Sequence, residues 1–340
     1  MVLFNEPRIV KQISVSEAYQ ICEEITRSAS TSFLRSFKSL PAEKRSSVHA
    51  LYAFCRKVDD IVDGDWLPNL SNLSEEELVS LNQRAEYRAM SLAIKKMNEP
   101  SNGDENHFQR VRALLWFRDN LELVEKDITV NHPIFIALKD TSEKFPIRIA
   151  DLKLLIEGME DDLFPTNYEN FEDVRSYCFK VASTVGLNLI EIYGYSNPDA
   201  REYAEEMGIF LQMVNILRDI KEDRGRGRLY LPTDELKMFD INPDEIGDMN
   251  LANTKKWKNF MKHYINRTKT HRNNALNLIP LIEGDSRRNP QMMCAVYSSI
   301  LSEAEKRNGD VLSRRLQLSF MKKVGFALSA LGLWSISTKK

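Results

Sequence analysis

Apolar residues recur at three- and four-residue intervals along almost the whole chain, and the breaks between these runs are short and polar. The period predicts helices over 14–28, 41–63, 75–97, 107–125, 147–160, 171–193, 199–221, 253–279, 290–308 and 312–335. No connector, including 65–72 and 98–106, is long or biased enough to be an interdomain linker, and no fixed-period repeat is present. The expectation is a single domain, 1–340, of all-α class.

Two of these helices carry polar lines that a buried helix would not normally tolerate. In PAEKRSSVHALYAFCRKVDDIVDGD, Pro41 suits a helix start, and Leu51, Phe54, Cys55, Val58 and Val62 form the core stripe. Tyr52, Arg56, Asp59 and Asp63 follow one another at four, three and four residues and share a second face, with Asp60 beside them. An all-oxygen acidic cluster repels itself unless a cation resides there, and it suits a hard ion, Mg2+ before Zn2+. The competing reading is a solvated acidic helix end.

The second line is more demanding. From Gly208 to Ile220 nearly every position is apolar, yet Gly208, Gln212, Asn215, Asp219 and Asp223 fall at spacings of four, three, four and four. Unpartnered burial of an amide and carboxylates costs several kcal/mol, so this line must face water, metal or hydrogen-bonding neighbours. A lined cavity answers that requirement more simply than a self-satisfied buried network, because the matching stripe elsewhere in the chain is acidic, not basic. Arg218 and Arg228 supply positive charge nearby, Lys221 and Arg226 could add to it, and Tyr230 with Pro232 ends the segment. Gly225 and Gly227 do not make a dinucleotide loop, since no third glycine follows and no strand precedes them.

Composition narrows the field. With Gly 13 and Pro 12 in 340 residues, there is too little punctuation for a strand-and-turn architecture. Lys+Arg 47 against Asp+Glu 49 leaves a net charge of -2, so there is no broad basic field for nucleic acid. Cys22, Cys55, Cys178 and Cys294 lie far apart, which argues against a disulfide framework or zinc site and for a cytoplasmic setting with no signal peptide. No apolar run reaches the roughly 18 residues of a spanning helix. The nearest, Val324–Ile336, lies between lysines and reads as a terminal helix packed on the core or as a peripheral membrane contact.

Paired acidic stripes, flanking arginines and apolar surroundings describe a pocket for a polyanion with a greasy tail. Metal-bridged carboxylates would neutralise a diphosphate headgroup, while aromatic faces such as Phe33, Tyr52 and Tyr177 would steady a carbocation in a dry channel.

The motifs in order resemble the squalene and phytoene synthase family of head-to-head prenyl transferases. They are Ser32-Phe33, YAFCRKVDDIVD at 52–63, LIEGMEDDL at 155–163, YCFKVASTVGLNLIEI at 177–192, MGIFLQMVNILRDIKEDRGRGRLYLP at 207–232 and AVYSSILSEAEKRNGDVLSRR at 295–315. The likeness runs from about residue 15 to 325 and implies an isoprenoid-synthase helical bundle around one central cavity. It implies that Asp59, Asp63, Asn215, Asp219 and Asp223 hold Mg2+, with Mn2+ as a substitute, and the diphosphates. Arg56, Arg218 and Arg314 would contact diphosphate oxygens; Tyr52, Tyr230 and Tyr297 would line the reacting region. Tyr177, Val181, Val185, Gly186, Gly208 and Gln212 would shape the prenyl channel. Where several relatives carry His and Lys before the Ser-Phe pair this chain has Ala29 and Thr31, so Arg27 or Arg35 would have to replace a headgroup contact.

The RGRGRLYLP stretch is closer to prokaryotic phytoene synthases, which implies condensation of two geranylgeranyl diphosphates without NADPH. The same chemistry on farnesyl diphosphate, giving squalene, dehydrosqualene or presqualene diphosphate, is the alternative. A non-catalytic homologue would be expected to have eroded stripes, and here both are complete. A terpene cyclase or head-to-tail prenyltransferase fits poorly with NILRDIKED paired to YCFKVASTVG.

Overall fold

The computed structural model describes residues 12–29, 37–95, 105–164 and 167–317. Over these the chain is helical, with no strand among the described residues and two isolated bridges, Asn167 with Leu229 and Tyr195 with Ile282. The helices are α1 Val15–Ala29, α2 Ala42–Asp63, α3 Glu75–Lys95, α4 Glu105–Glu125, α5 Pro133–Lys144, α6 Ile149–Glu160, α7 Phe171–Cys178, α8 Thr184–Tyr193, α9 Ala200–Gly225, α10 Thr233–Met238, α11 Lys255–Ala275, α12 Leu278–Leu281 and α13 Arg288–Lys306. The all-α expectation is met.

The differences in detail have local causes. α5 was not expected; it is a twelve-residue helix started by Pro133 at its first turn, where a missing N–H costs nothing. The expected helix 171–193 is divided by a π turn, Phe179–Ser183, in which the Thr184 N–H donates to the Phe179 carbonyl. The run 253–279 breaks after Ala275 into α11 and α12. Residues 312–317 are not helical, and the rest of the expected 312–335 helix, with Val324–Ile336, lies outside the described residues. No helix among the described residues is long and apolar enough to cross a membrane.

Two helices hold the polar stripes in place. α2 ends at Gly64, whose φ of 82° is a left-handed cap that lets its N–H bond the Asp60 and Ile61 carbonyls. Its core face is covered by α1, α4 and α5, where Phe54 meets Phe117 at 5.7 Å and Phe135 at 6.4 Å. α9 is backed by α11, locked by a buried bond from the Tyr264 hydroxyl to the Met213 carbonyl (3.1 Å). With these backs covered, the polar lines of α2 and α9 are left to a shared cavity whose other walls are α6, the α7–π–α8 segment and α13.

The π turn packs against both α6 and α9. A Cβ on Gly208 would lie 2.4 Å from Ser183 Cα, and one on Gly158 would lie 2.8 Å from Val181 Cγ1. Gly208 lines the cavity as expected, but the crossing of two backbones is what demands a glycine there.

Candidate active site

The cavity has two continuous parts. An apolar channel of about 290 Å³ is lined by Val48, Leu51, Val181, Val185, Gly186, Tyr193, Gly208 and Tyr297, among others. A charged mouth of about 550 Å³ is lined by Arg56, Asp59, Asp63, Asp162, Tyr177, Arg218, Asp219, Asp223, Arg228 and Tyr230. Tyr52, Cys55, Val181, Gln212 and Asn215 border both. Helical periodicity produces this gradient. On α2 the wall runs from Asp63 through Asp59 and Cys55 to Leu51 and Val48, and on α9 from Asp223 through Asp219 and Asn215 to Gly208 and Ala204.

Charge in the mouth is unevenly compensated. Arg226 reaches Asp63 at 2.9 Å and Arg228 reaches it at 3.4 Å; the Arg226 side chain is 54% exposed and that of Arg228 14%. Asp219 is held by its neighbour Arg218 and by Arg315 at 2.5 Å. Asp59 bonds Arg56 at 3.1 Å, yet burial and the adjacent Asp63 push its carboxyl up to about 6. Burial and Asp219 push Asp223 up to about 7.

Among the described residues no three acidic, His or Cys side chains already converge as a metal-ligand set. The expected ligands therefore share the mouth without being drawn together, because arginines hold Asp63 and Asp219. Their chemistry still fits a hard cation. Asp59 and Asp223 are crowded carboxylates, and the Asn215 Oδ1 is shielded from solvent with no hydrogen-bond partner while its amide donates to Gln212 at 3.2 Å.

Four sequence expectations change. Tyr177, expected to shape the prenyl channel, lines the charged mouth instead, because its hydroxyl is drawn to Asp162. Arg314 is exposed and does not line the cavity; its carbonyl accepts from Arg307 while Arg315 supplies the guanidinium at Asp219. Lys221 is exposed, whereas Arg226 enters the mouth. Arg27 pairs with Glu23 at 2.7 Å on an exposed face. Thr31, Phe33, Arg35 and the side chain of Ala29 lie outside the described residues; Phe37, edge-on to Tyr52 at 6.4 Å, is an aromatic of the channel wall.

Sequence reasoning missed Asp162. Its carboxylate accepts from the Tyr177 hydroxyl at 2.9 Å and the Tyr230 hydroxyl at 2.6 Å. Those two rings are stacked, 4.8 Å between centroids at 22°. The available signal was an acid in LIEGMEDDL one helix end away from the cavity wall, but nothing in the local spacing marks Asp162 above Asp161.

The sequence model of the Squalene/phytoene synthase family matches residues 26–322. The 15-cis-phytoene synthase of Synechocystis sp. is 29% identical over 323 residues, 92% of this chain and 83% of that protein. The phytoene synthase of Mycobacterium tuberculosis is 29% identical over 319 residues, covering 93% and 91%. Among solved structures, a dehydrosqualene synthase in complex with ligand superposes with a TM-score of 0.73 at 22% identity, covering 94% of this chain and 96% of that one. The squalene synthase HpnC from Alicyclobacillus acidocaldarius gives 0.68 at 21%, covering 86% and 95%. The matched span encloses both polar stripes and the whole wall of the cavity between them, and on that basis the chain belongs to the squalene/phytoene synthase family.

Proposed function

We propose that this protein is a phytoene synthase, joining two geranylgeranyl diphosphates head to head through a cyclopropylcarbinyl diphosphate to phytoene. The observation that carries the reading is the continuity of a charged mouth with an apolar channel across Tyr52, Cys55, Val181, Gln212 and Asn215. The relatives named phytoene synthase, matched over most of their length, support the substrate.

Asp59, Asp63, Asn215, Asp219 and Asp223 would hold Mg2+, which when bound supplies Lewis-acid neutralisation of the leaving diphosphate. Arg56, Arg218, Arg228 and Arg315 line the same mouth and offer charged hydrogen bonds to diphosphate oxygens. Val181, Val185, Gly186, Leu189 and Leu211 keep water from the prenyl chain, so that a carbocation survives long enough to rearrange. Tyr52, Tyr177 and Tyr230 line the mouth and would offer aromatic surface to that charge. Residues 15–325 act as one catalytic unit in this reading, and an oily product gives the protein reason to work at a membrane surface.

A second reading, the same chemistry on farnesyl diphosphate, is favoured by the dehydrosqualene and squalene synthase folds that superpose on this one. The test incubates purified protein and Mg2+ with either diphosphate, with and without NADPH, and identifies extracted lipids by mass spectrometry. Phytoene from the longer substrate without NADPH is expected. C30 products or presqualene diphosphate from the shorter one would transfer the assignment to the second reading.

A further inference from the structure

Two distant elements are built around a carboxylate that the chemistry above leaves without a task. Asp162 sits in the 3-10 turn Asp161–Leu163 that closes α6. Its Oδ2 accepts from Tyr177, at the end of α7, and its Oδ1 from Tyr230, in the segment after α9; these partners are 15 and 68 residues away in sequence. Tyr168 lies against both rings, 5.5 Å from Tyr177 and 5.9 Å from Tyr230. Arg228 donates to the main-chain carbonyl of Asp162 at 3.2 Å and to Asp63 at 3.4 Å, so the same turn is tied to the charged mouth.

The arrangement constrains the phenols electrically as well as sterically. A free hydroxyl can swing its proton toward an approaching cation, presenting the positive end of the O–H dipole. One that donates to a carboxylate cannot, and the bond pushes electron density onto its oxygen and ring. The ring surface that the stacked pair leaves to the cavity then attracts a cation more strongly.

On the reading that a prenyl cation forms in this cavity, we propose that Asp162 is a positioning residue: by accepting both phenolic protons it fixes the stacked Tyr177 and Tyr230 rings as an electron-rich wall. No proton is transferred in this role. The first ionisation yields a resonance-stabilised allylic cation, whereas the second leads through rearranged cations that depend more on their surroundings. The wall therefore matters most in the second half of the reaction.

The test replaces the carboxylate by its near-isostere, Asp162→Asn, which can accept from one phenol but not from both. With geranylgeranyl diphosphate and Mg2+, the cyclopropylcarbinyl diphosphate and the hydrocarbon are quantified separately. Hydrocarbon should fall at least about tenfold relative to the diphosphate intermediate, the scale of one lost charge-assisted bond, with KM within about threefold of native. An unchanged ratio, or equal loss of both products, would overturn the proposal.

A second measurement needs no turnover. With tyrosine labelled at 13Cζ, the resonances assigned by Tyr177→Phe and Tyr230→Phe should shift in Asp162→Asn, while that of Tyr19, which donates to Asp140 at 2.7 Å, stays put. Stationary Tyr177 and Tyr230 signals would sink the positioning role. A native enzyme inert toward every prenyl diphosphate would instead fault the functional reading, and the spectrum alone would then decide on Asp162.

Discussion

The two sides of α2 are one residue apart in sequence and opposite in character. One side meets α4 and α5 through Phe54, Phe117, Trp116 and Phe135, whose rings pack edge-on or tilted at 5.3 to 6.4 Å. The other carries Tyr52, Arg56, Asp59 and Asp63 into the cavity, where burial and like charge push Asp59 up to about 6. The first side is close aromatic packing, while the second sets carboxylates of like charge a turn apart at the cavity wall. A helix that tolerates the second must be held by the first, so stability and chemistry are expected to separate cleanly across it.

The largest effect should come from the cavity side. Asp59→Ala or Asp223→Ala should lower turnover by about 10³-fold, the scale of removing a preorganised electrostatic group, as read by product formation. Relief of crowding should leave the melting temperature of either variant unchanged or higher; a clear drop would break the comparison. Phe54→Ala on the other side should cost about 3–5 kcal/mol in urea unfolding, with activity per folded molecule within about threefold of native.

A finer distinction separates neighbouring arginines. Arg315→Ala should lower kcat/KM by about tenfold or more, since a charged hydrogen bond is worth about 1.5–3 kcal/mol, while Arg314→Ala should stay within about twofold. Equal losses would restore Arg314 to the site.

The smallest effect concerns acid. Burial beside Trp116 and Phe135 lowers the His132 imidazole to about 4 from 6.5. Its contribution to stability is intact above pH 6.5 and is lost as pH falls toward 4, because the unfolded chain takes the proton first. His132→Phe should therefore show a shallower fall in urea midpoint between pH 6.5 and 4 than the native protein. Parallel curves would remove His132 from the acid response.

How much of this was legible in the sequence depended on whether the period of a helix carried the information. Asp59, Asp63, Asn215, Asp219 and Asp223 were readable because three- and four-residue spacing alone puts them on single faces, and they do line one mouth. Arg315 was not, since 312–317 is not helical and periodicity cannot choose between adjacent arginines. Asp162 takes its meaning from hydroxyls 15 and 68 residues away, which no local pattern encodes. α5 escaped notice because its twelve residues offer few repeats of the period. The reason for Gly208, a backbone crossing at Ser183, is likewise a property of the packed helices.

The π turn at Phe179–Ser183 gives this fold a reading frame of its own. It accommodates one more residue than an ordinary helical turn and absorbs it, so that Tyr177 before it and Val185 after it face a common cavity although eight residues of regular α-helix would not bring them to one face. Deleting a single residue there would let the segment relax into regular α-helix with its flanking turns still in register, at the cost of the wide turn that packs against α6 and α9. For engineering, this is the one point of the segment where a residue can be removed with α8 still presenting the same positions to the channel, whereas the same deletion in the regular turns of α7 or α8 would rotate them away.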